Sequence, residues 1–177
     1  LYRLLNGFPT PGKPEKGLRR LLPFLSTMVL ILLMLPQYKL AYLDNMIPFL
    51  SLAAVYYWCI FKPRLMPVSV VFFLGLFQDI LSGGPLGMMA LLLLLVRVFV
   101  LNQGGRLLER EFIFNWLVFF VLTLVFGFLT WAVSSLYLKE AQNYWNALGQ
   151  SMFTIALFPA IVWLLNRVRG LLVVENR

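Results

Sequence analysis

The stretch FQDILSGGPLGMMALLLLL, residues 77–95, sets a carboxylate, a hydroxyl and a run of small residues inside strongly apolar sequence. Gly83 and Gly84 are free to take backbone angles that other residues avoid. Pro85 suits the first position of a helix, where a missing N–H costs nothing. The stretch therefore reads as a tight helical hairpin, one helix ending near Leu81 and the next opening at Pro85. The second helix would begin with unpaired amides and a partly positive end. Asp79 lies one or two turns back on the first helix, within reach of those amides. Two compatible roles follow: a carboxylate that clamps the hairpin, or a contact for a partner or ligand. Residues three and four apart share a helix face, so Gly75, Gln78, Asp79 and Ser82 form one narrow polar stripe. Lipid offers such a stripe no hydrogen bonds, so it should face protein.

Composition extends this reading to the whole chain. It is 61% hydrophobic and 12% charged, where a soluble domain is nearer a quarter charged. These values describe an all-α integral membrane protein, and 177 residues fit one domain. The net charge of +8 is better explained by basic membrane-flanking loops than by nucleic acid. His is absent and Cys59 is the single cysteine. An internal disulfide, a Cys-rich metal site and any His-dependent nucleophile are thereby excluded. Cofactors and catalytic residues are not expected.

Six runs approach the roughly 20 residues needed to span a bilayer. They are Leu21–Gln37, Leu43–Phe61, Leu65–Leu81, Pro85–Leu101, Phe112–Leu138 and Trp145–Val168, the last with Pro159 inside it. The first resembles a signal peptide but is followed by Leu35-Pro36-Gln37-Tyr38, which lacks a small-residue cleavage site, and reads as a retained anchor. With the N-terminus in the cytoplasm, thirteen Lys and Arg fall inside and two, Lys39 and Lys139, outside. This bias predicts six spans with both termini cytoplasmic. The organisation is a basic segment 1–20, a membrane domain 21–169 and a tail 170–177. Leu1, Leu4, Leu5 and Phe8 would share a face if the first segment formed a short interfacial helix; a mobile tail is the other reading. NQGGRLLERE, residues 102–111, reads as a cytoplasmic loop.

Arg97 sits ~18 Å along its helix from Pro85, too far from Asp79 to pair within the hairpin. It is expected to snorkel to the inner interface, or to meet lipid phosphate or a partner. Trp58, beside Tyr56 and Tyr57, suits an interfacial aromatic belt and possible contact with lipid or a partner. Thr123, Gly127, Thr130 and Ser134 share a face, and Ala156 and Ala160 stand four apart. Both sets read as packing seams, within the bundle or against another subunit. Cys59 reads as a small buried residue.

Residues 56–96 carry a combination that resembles the rod shape-determining MreD family. The matching positions are Trp58, Lys62, Pro63, Phe72, Gly75, Leu76, Asp79, Ser82, Gly83, Gly84, Pro85, Leu86 and Gly87. Arg64 departs from the family pattern, where an acidic residue is often found. The resemblance implies a non-enzymatic subunit of the bacterial cell-elongation (Rod) complex in the inner membrane, supporting rod shape and peptidoglycan synthesis. Its implied partner is the transmembrane helix of MreC; MreB, RodA and a class B transpeptidase would act nearby. It also implies a fold like the S components of energy-coupling-factor transporters. Two functions follow. A scaffold for MreC would need a lateral groove, expected to be lined by small residues and aromatics. A vitamin carrier would need a pocket where polar groups converge, with Asp79, Gln78, Asp44, Asn45, Glu140 and Asn143 as candidates.

Overall fold

The computed structural model describes residues 21–33, 47–109, 111–138 and 143–173. Among these, every regular element is helical: α1 (Leu22–Leu32), α2 (Leu50–Phe61), a short 3-10 turn (Pro63–Leu65), α3 (Val68–Ser82), α4 (Met88–Glu109), α5 (Phe112–Leu138) and α6 (Tyr144–Val173). The stretches Phe112–Tyr137 of α5 and Tyr144–Gly170 of α6 are long and apolar enough to cross a membrane; the other four helices are shorter apolar segments. The expected interfacial segment 1–20, and the ends of the first two runs between 34 and 46, lie outside the described residues.

Several boundaries differ from the sequence reading. The third run starts at Val68, because Pro63–Leu65 forms the 3-10 turn and Pro67 precedes the helix. The fourth helix starts at Met88, not Pro85. It also continues through most of the expected cytoplasmic loop, as far as Glu109. Gly104 and Gly105 each cost the helix about 1 kcal/mol, but Gln, Arg, Leu and Glu around them are good helix formers. Leu107, 1% exposed, adds a buried anchor there. The last helix likewise runs into the expected tail, to Val173, with Pro159 accommodated inside it.

The helices pack as a ring around an axle. In ring order α1 meets α3, α3 meets α4, α4 meets α5, α5 meets α6, and α6 returns to α1. At the centre α2 touches α1, α4, α5 and α6. Every α2 residue from Leu50 to Ile60 is buried. A helix apolar all round belongs in such a place.

Tyr56, Tyr57 and Trp58 are therefore not an interfacial belt, and Trp58 touches no lipid: all three lie within the bundle, at most 1% exposed. Successive helix residues point about 100° apart. These three consequently address three neighbours in turn. Tyr56 donates to the carbonyl of Asn115 on α5 at 3.0 Å, and Tyr57 donates to Asn166 Oδ1 on α6. Trp58 Nε1 donates to Ser26 Oγ on α1 at 3.0 Å. Buried rings with polar tips need such partners. Near the other end of α2, the Phe49 amide donates to Thr154 Oγ1 at 2.8 Å. Phe119 and Phe158 stack at 4.0 Å beside Tyr56. Replacing Tyr57 with Phe should leave the Asn166 carbonyl without its donor. The expected loss is about 1 kcal/mol, read from a denaturant titration of the purified protein in mixed micelles.

The α5 face of Thr123, Gly127, Thr130 and Ser134 turns inward. Thr123 is fully buried, a side chain at Gly127 would collide with Ser151 of α6, and Ser134 Oγ lies 3.9 Å from Met88 Sδ of α4. Ala156 and Ala160, by contrast, are exposed and form no internal seam. The inward face of α6 is instead Ser151, Thr154, Ile155, Phe158, Ile161 and Leu165. Alanines place little volume in a core that larger rings fill.

Candidate functional site

The α3–α4 hairpin gathers most of the residues singled out by sequence. Gly83 ends α3 in the left-handed conformation, φ 68°, and its amide donates to the carbonyl of Asp79 at 3.1 Å. Glycine takes this conformation without steric cost. Ser82 Oγ donates to the same carbonyl at 3.2 Å. Pro85 then opens a turn closed by Met88 N–H to Pro85 C=O at 3.2 Å, with Gly87 at φ 90°. Pro85 is thus a turn residue rather than the first residue of a helix. Gly84 has a negative-side φ, and the second position demanding glycine is Gly87.

α4 begins with orphan amides, and Gly87 has no side chain to cap them. Asp79 reaches across from α3 to do so. Its Oδ2 accepts from Gly87 N at 2.9 Å and from Ala90 N at 3.5 Å, and its Oδ1 accepts from Met89 N at 3.0 Å. The carboxylate is 1% exposed, so its acceptors are directed into its own hairpin. This reach depends on close approach one turn earlier. A Cβ on Gly75 would fall 2.6 Å from the Ala90 nitrogen, nearer than real Cβ atoms come. Gly75 therefore sets the separation that Asp79 bridges. Gln78 is buried beside it, with no donor to its Oε1 among the described residues.

Arg97 and Trp58 lie elsewhere. Arg97 does not simply snorkel outward: its Nε donates to the carbonyl of Met66 at 2.8 Å, tying α4 to the α2–α3 connector. Trp58 is held between α1 and α2, as above.

A lateral groove of about 400 Å³ opens between α4 and α5. Its α4 wall is Leu92, Leu95, Val96 and Phe99. The α5 wall, from Leu117 to Leu129, runs ~18 Å at 1.5 Å per residue. Of the small residues and aromatics expected, the walls carry the aromatics Phe99 and Phe126 among Leu and Val; the small residues are used where α3 meets α4 and α5 meets α6. A lateral groove was expected, but its place between α4 and α5 was not, and the three-way bonding of residues 56–58 was not read from sequence. The signal for the second was present: three consecutive rings with polar tips have no use for a lipid-facing helix.

No curated protein and no solved structure matches the chain. The family model described as rod shape-determining protein MreD matches residues 18–168. That match takes in all of α1 to α5 and most of α6, and with it the capped hairpin and the lateral groove. The chain accordingly belongs to the MreD family of rod shape-determining membrane proteins.

Proposed function

We propose that this chain is a multi-pass subunit of the bacterial inner membrane, within the cell-elongation machinery, that seats the transmembrane anchor of MreC. Six spans with both termini in the cytoplasm accord with the thirteen-to-two partition of Lys and Arg. The observation that carries the reading is the α4–α5 groove. It is open sideways, wholly apolar in its lining side chains, and about three helical turns long. A membrane helix gains little by leaving lipid for another apolar surface unless the fit is close. A groove between two helices offers that fit, while a single exposed helix face such as that of α3 does not. Apart from that groove, the capped hairpin gives α4 a fixed position relative to α3. MreB, RodA and the class B transpeptidase would be reached through MreC, not by direct contact.

The alternative, an S-component-like carrier of a vitamin, needs converging polar groups. The groove has none in its walls, and Asp79 is committed to backbone amides. Asn143 Oδ1 accepts from Trp145 N at 3.1 Å. Asp44, Asn45 and Glu140 lie outside the described residues. No reaction is assigned, in keeping with a family whose role is structural.

The test is co-purification of full-length MreC with groove-filled and control variants. Val121→Trp fills the groove; Ile80→Trp adds the same ring to an exposed position on α3. Val121→Trp should lower recovered MreC about tenfold, equivalent to ~1.4 kcal/mol, and Ile80→Trp should leave it unchanged. Wild-type recovery with both variants would remove the groove from the interface.

A further inference from the structure

The first turn of α2 lies inside the bundle, not at its surface: Ile47, Phe49, Leu50, Ser51 and Leu52 are all buried. A helix start leaves its first amides without intrahelical acceptors. Two of them are served here. Phe49 N–H donates to Thr154 Oγ1 at 2.8 Å and Leu50 N–H to Pro48 C=O at 2.9 Å. Ala53 N–H, one turn on, reaches Phe49 C=O at 3.4 Å. Between them, the amides of Ser51 and Leu52 meet no acceptor among the described residues. Phe49 stands at the capping position and its ring offers no acceptor. The hydroxyl of Ser51, fully buried, also has no partner there. Cα–Cβ bonds tilt toward the start of a helix, so this hydroxyl belongs to the same open end as the two amides.

α3 brings a further polar group to this level. Ser51 stands seven residues before Trp58 and shares its face, the one that meets Ser26 of α1. α3 is the neighbour of α1 in the ring. Ser51 lies ten residues before Phe61, where α2 ends, and Gln78 ten after Val68, where α3 begins. The two helices fold back from one connector, so both residues sit ~15 Å from it, about half the ~30 Å thickness of a hydrocarbon core. Gln78 is 2% exposed, and its Oε1 accepts from no donor among the described residues, Ser51 included. Such groups are destabilising when buried without partners, and lipid supplies none.

Whatever joins them must accept from amide N–H groups and donate to a carbonyl oxygen at once. A halide or a carboxylate only accepts, and an ammonium only donates. Water does both, and settles in protein interiors where it finds two to four polar partners. We infer that the start of α2 binds an ordered water in the middle of the membrane, held by Ser51 N–H, Leu52 N–H, Ser51 Oγ and Gln78 Oε1. Among the described residues the side chains of α2 bond directly to α1, α5 and α6; the water ties in α3. The site is separate from the α4–α5 groove and does not involve MreC.

Water-to-amide magnetisation transfer, measured by NMR on the deuterated full chain in detergent micelles, reads the contact directly. Ser51 and Leu52 N–H should show cross-peaks to water. Ala54 and Val55 N–H, fully buried further along the same helix, should show none. Ser51→Ala and Gln78→Met, combined in a double-mutant cycle, give a second readout by denaturant titration. Each single change should raise the unfolding equilibrium constant about fivefold. The pair together should also raise it about fivefold, not roughly twenty-fivefold, because either change alone releases the water. Wild type without the Ser51 and Leu52 cross-peaks overturns the inference, and so does an additive cycle. Greater stability in either single variant overturns it too, as the result expected of polar groups buried with no ligand at all. Cross-peaks to a co-purified organic molecule in place of water would likewise overturn it, marking a pocket for a different ligand.

Discussion

Replacing Trp58 with Ala should cost about 3–5 kcal/mol, with the midpoint of unfolding moving to markedly lower denaturant in mixed micelles. Trp58 is wholly enclosed between α1 and α2, and its indole N–H is bonded to Ser26. In water much of such a loss is the return of apolar surface to solvent. In a bilayer the unfolded reference is already apolar, so that part shrinks. What remains is the cavity, lost dispersion contacts around a void too small for lipid to fill, together with the lost bond from the indole N–H to Ser26, whose hydroxyl still donates to Pro23 C=O. The effect should therefore sit toward the lower end of the range. Trp163→Ala is the control. That ring is 65% exposed, and its removal should change the midpoint little. Equal behaviour of the two variants would contradict the axle position of α2.

Asp79→Ala should cost about 3 kcal/mol, measured in the same titration. Three backbone N–H groups lose their acceptor together, in a place lipid cannot rescue. Each buried donor left unsatisfied costs about 1–3 kcal/mol, and a helix cap alone is worth about 1. Partial unwinding of the first turn of α4 would relieve some of this, which keeps the sum below the arithmetic maximum. Asp79→Asn should recover about half, because its amide keeps one acceptor oxygen while turning two donors toward donors. Amide exchange should report the same event locally, with Met89 N–H losing protection in Asp79→Ala before the rest of α4 does. Wild-type stability in Asp79→Ala would mean the carboxylate is not the cap of α4.

The hairpin was legible in the sequence because its signals are local. Asp79, the glycines and Pro85 lie within a few residues of one another, and the geometry of a helix start limits what a nearby carboxylate can do. The error there was also local: Pro85 fits two positions, the first of a helix or the first of a turn, and Gly87 with its positive φ favoured the turn. The helical class and the apolar runs were legible from composition. The order of burial was not. In a soluble protein an all-apolar helix announces the core, but in a membrane protein every span is apolar, so α2 looked no different from helices that face lipid. The position of the groove was hidden for a related reason. Its walls are Leu, Val and Phe, the residues any span would show. Residues 104–109 misled differently: two glycines and alternating charges suggested a loop, while the buried Leu107 that anchors the helix there shows only in three dimensions.

The fan of bonds from residues 56–58 has a mechanical meaning. A smooth greasy cylinder inside a cage has no preferred roll angle; Leu and Val contacts exchange for one another at small cost. Tyr56, Tyr57 and Trp58 end that degeneracy, since turning α2 by one residue would point each polar tip at the wrong neighbour and unmake three bonds at once. The central rod is thereby keyed against rotation, like a shaft with three splines. A push or twist delivered to the outer helices should move the assembly as one piece, without spinning its middle.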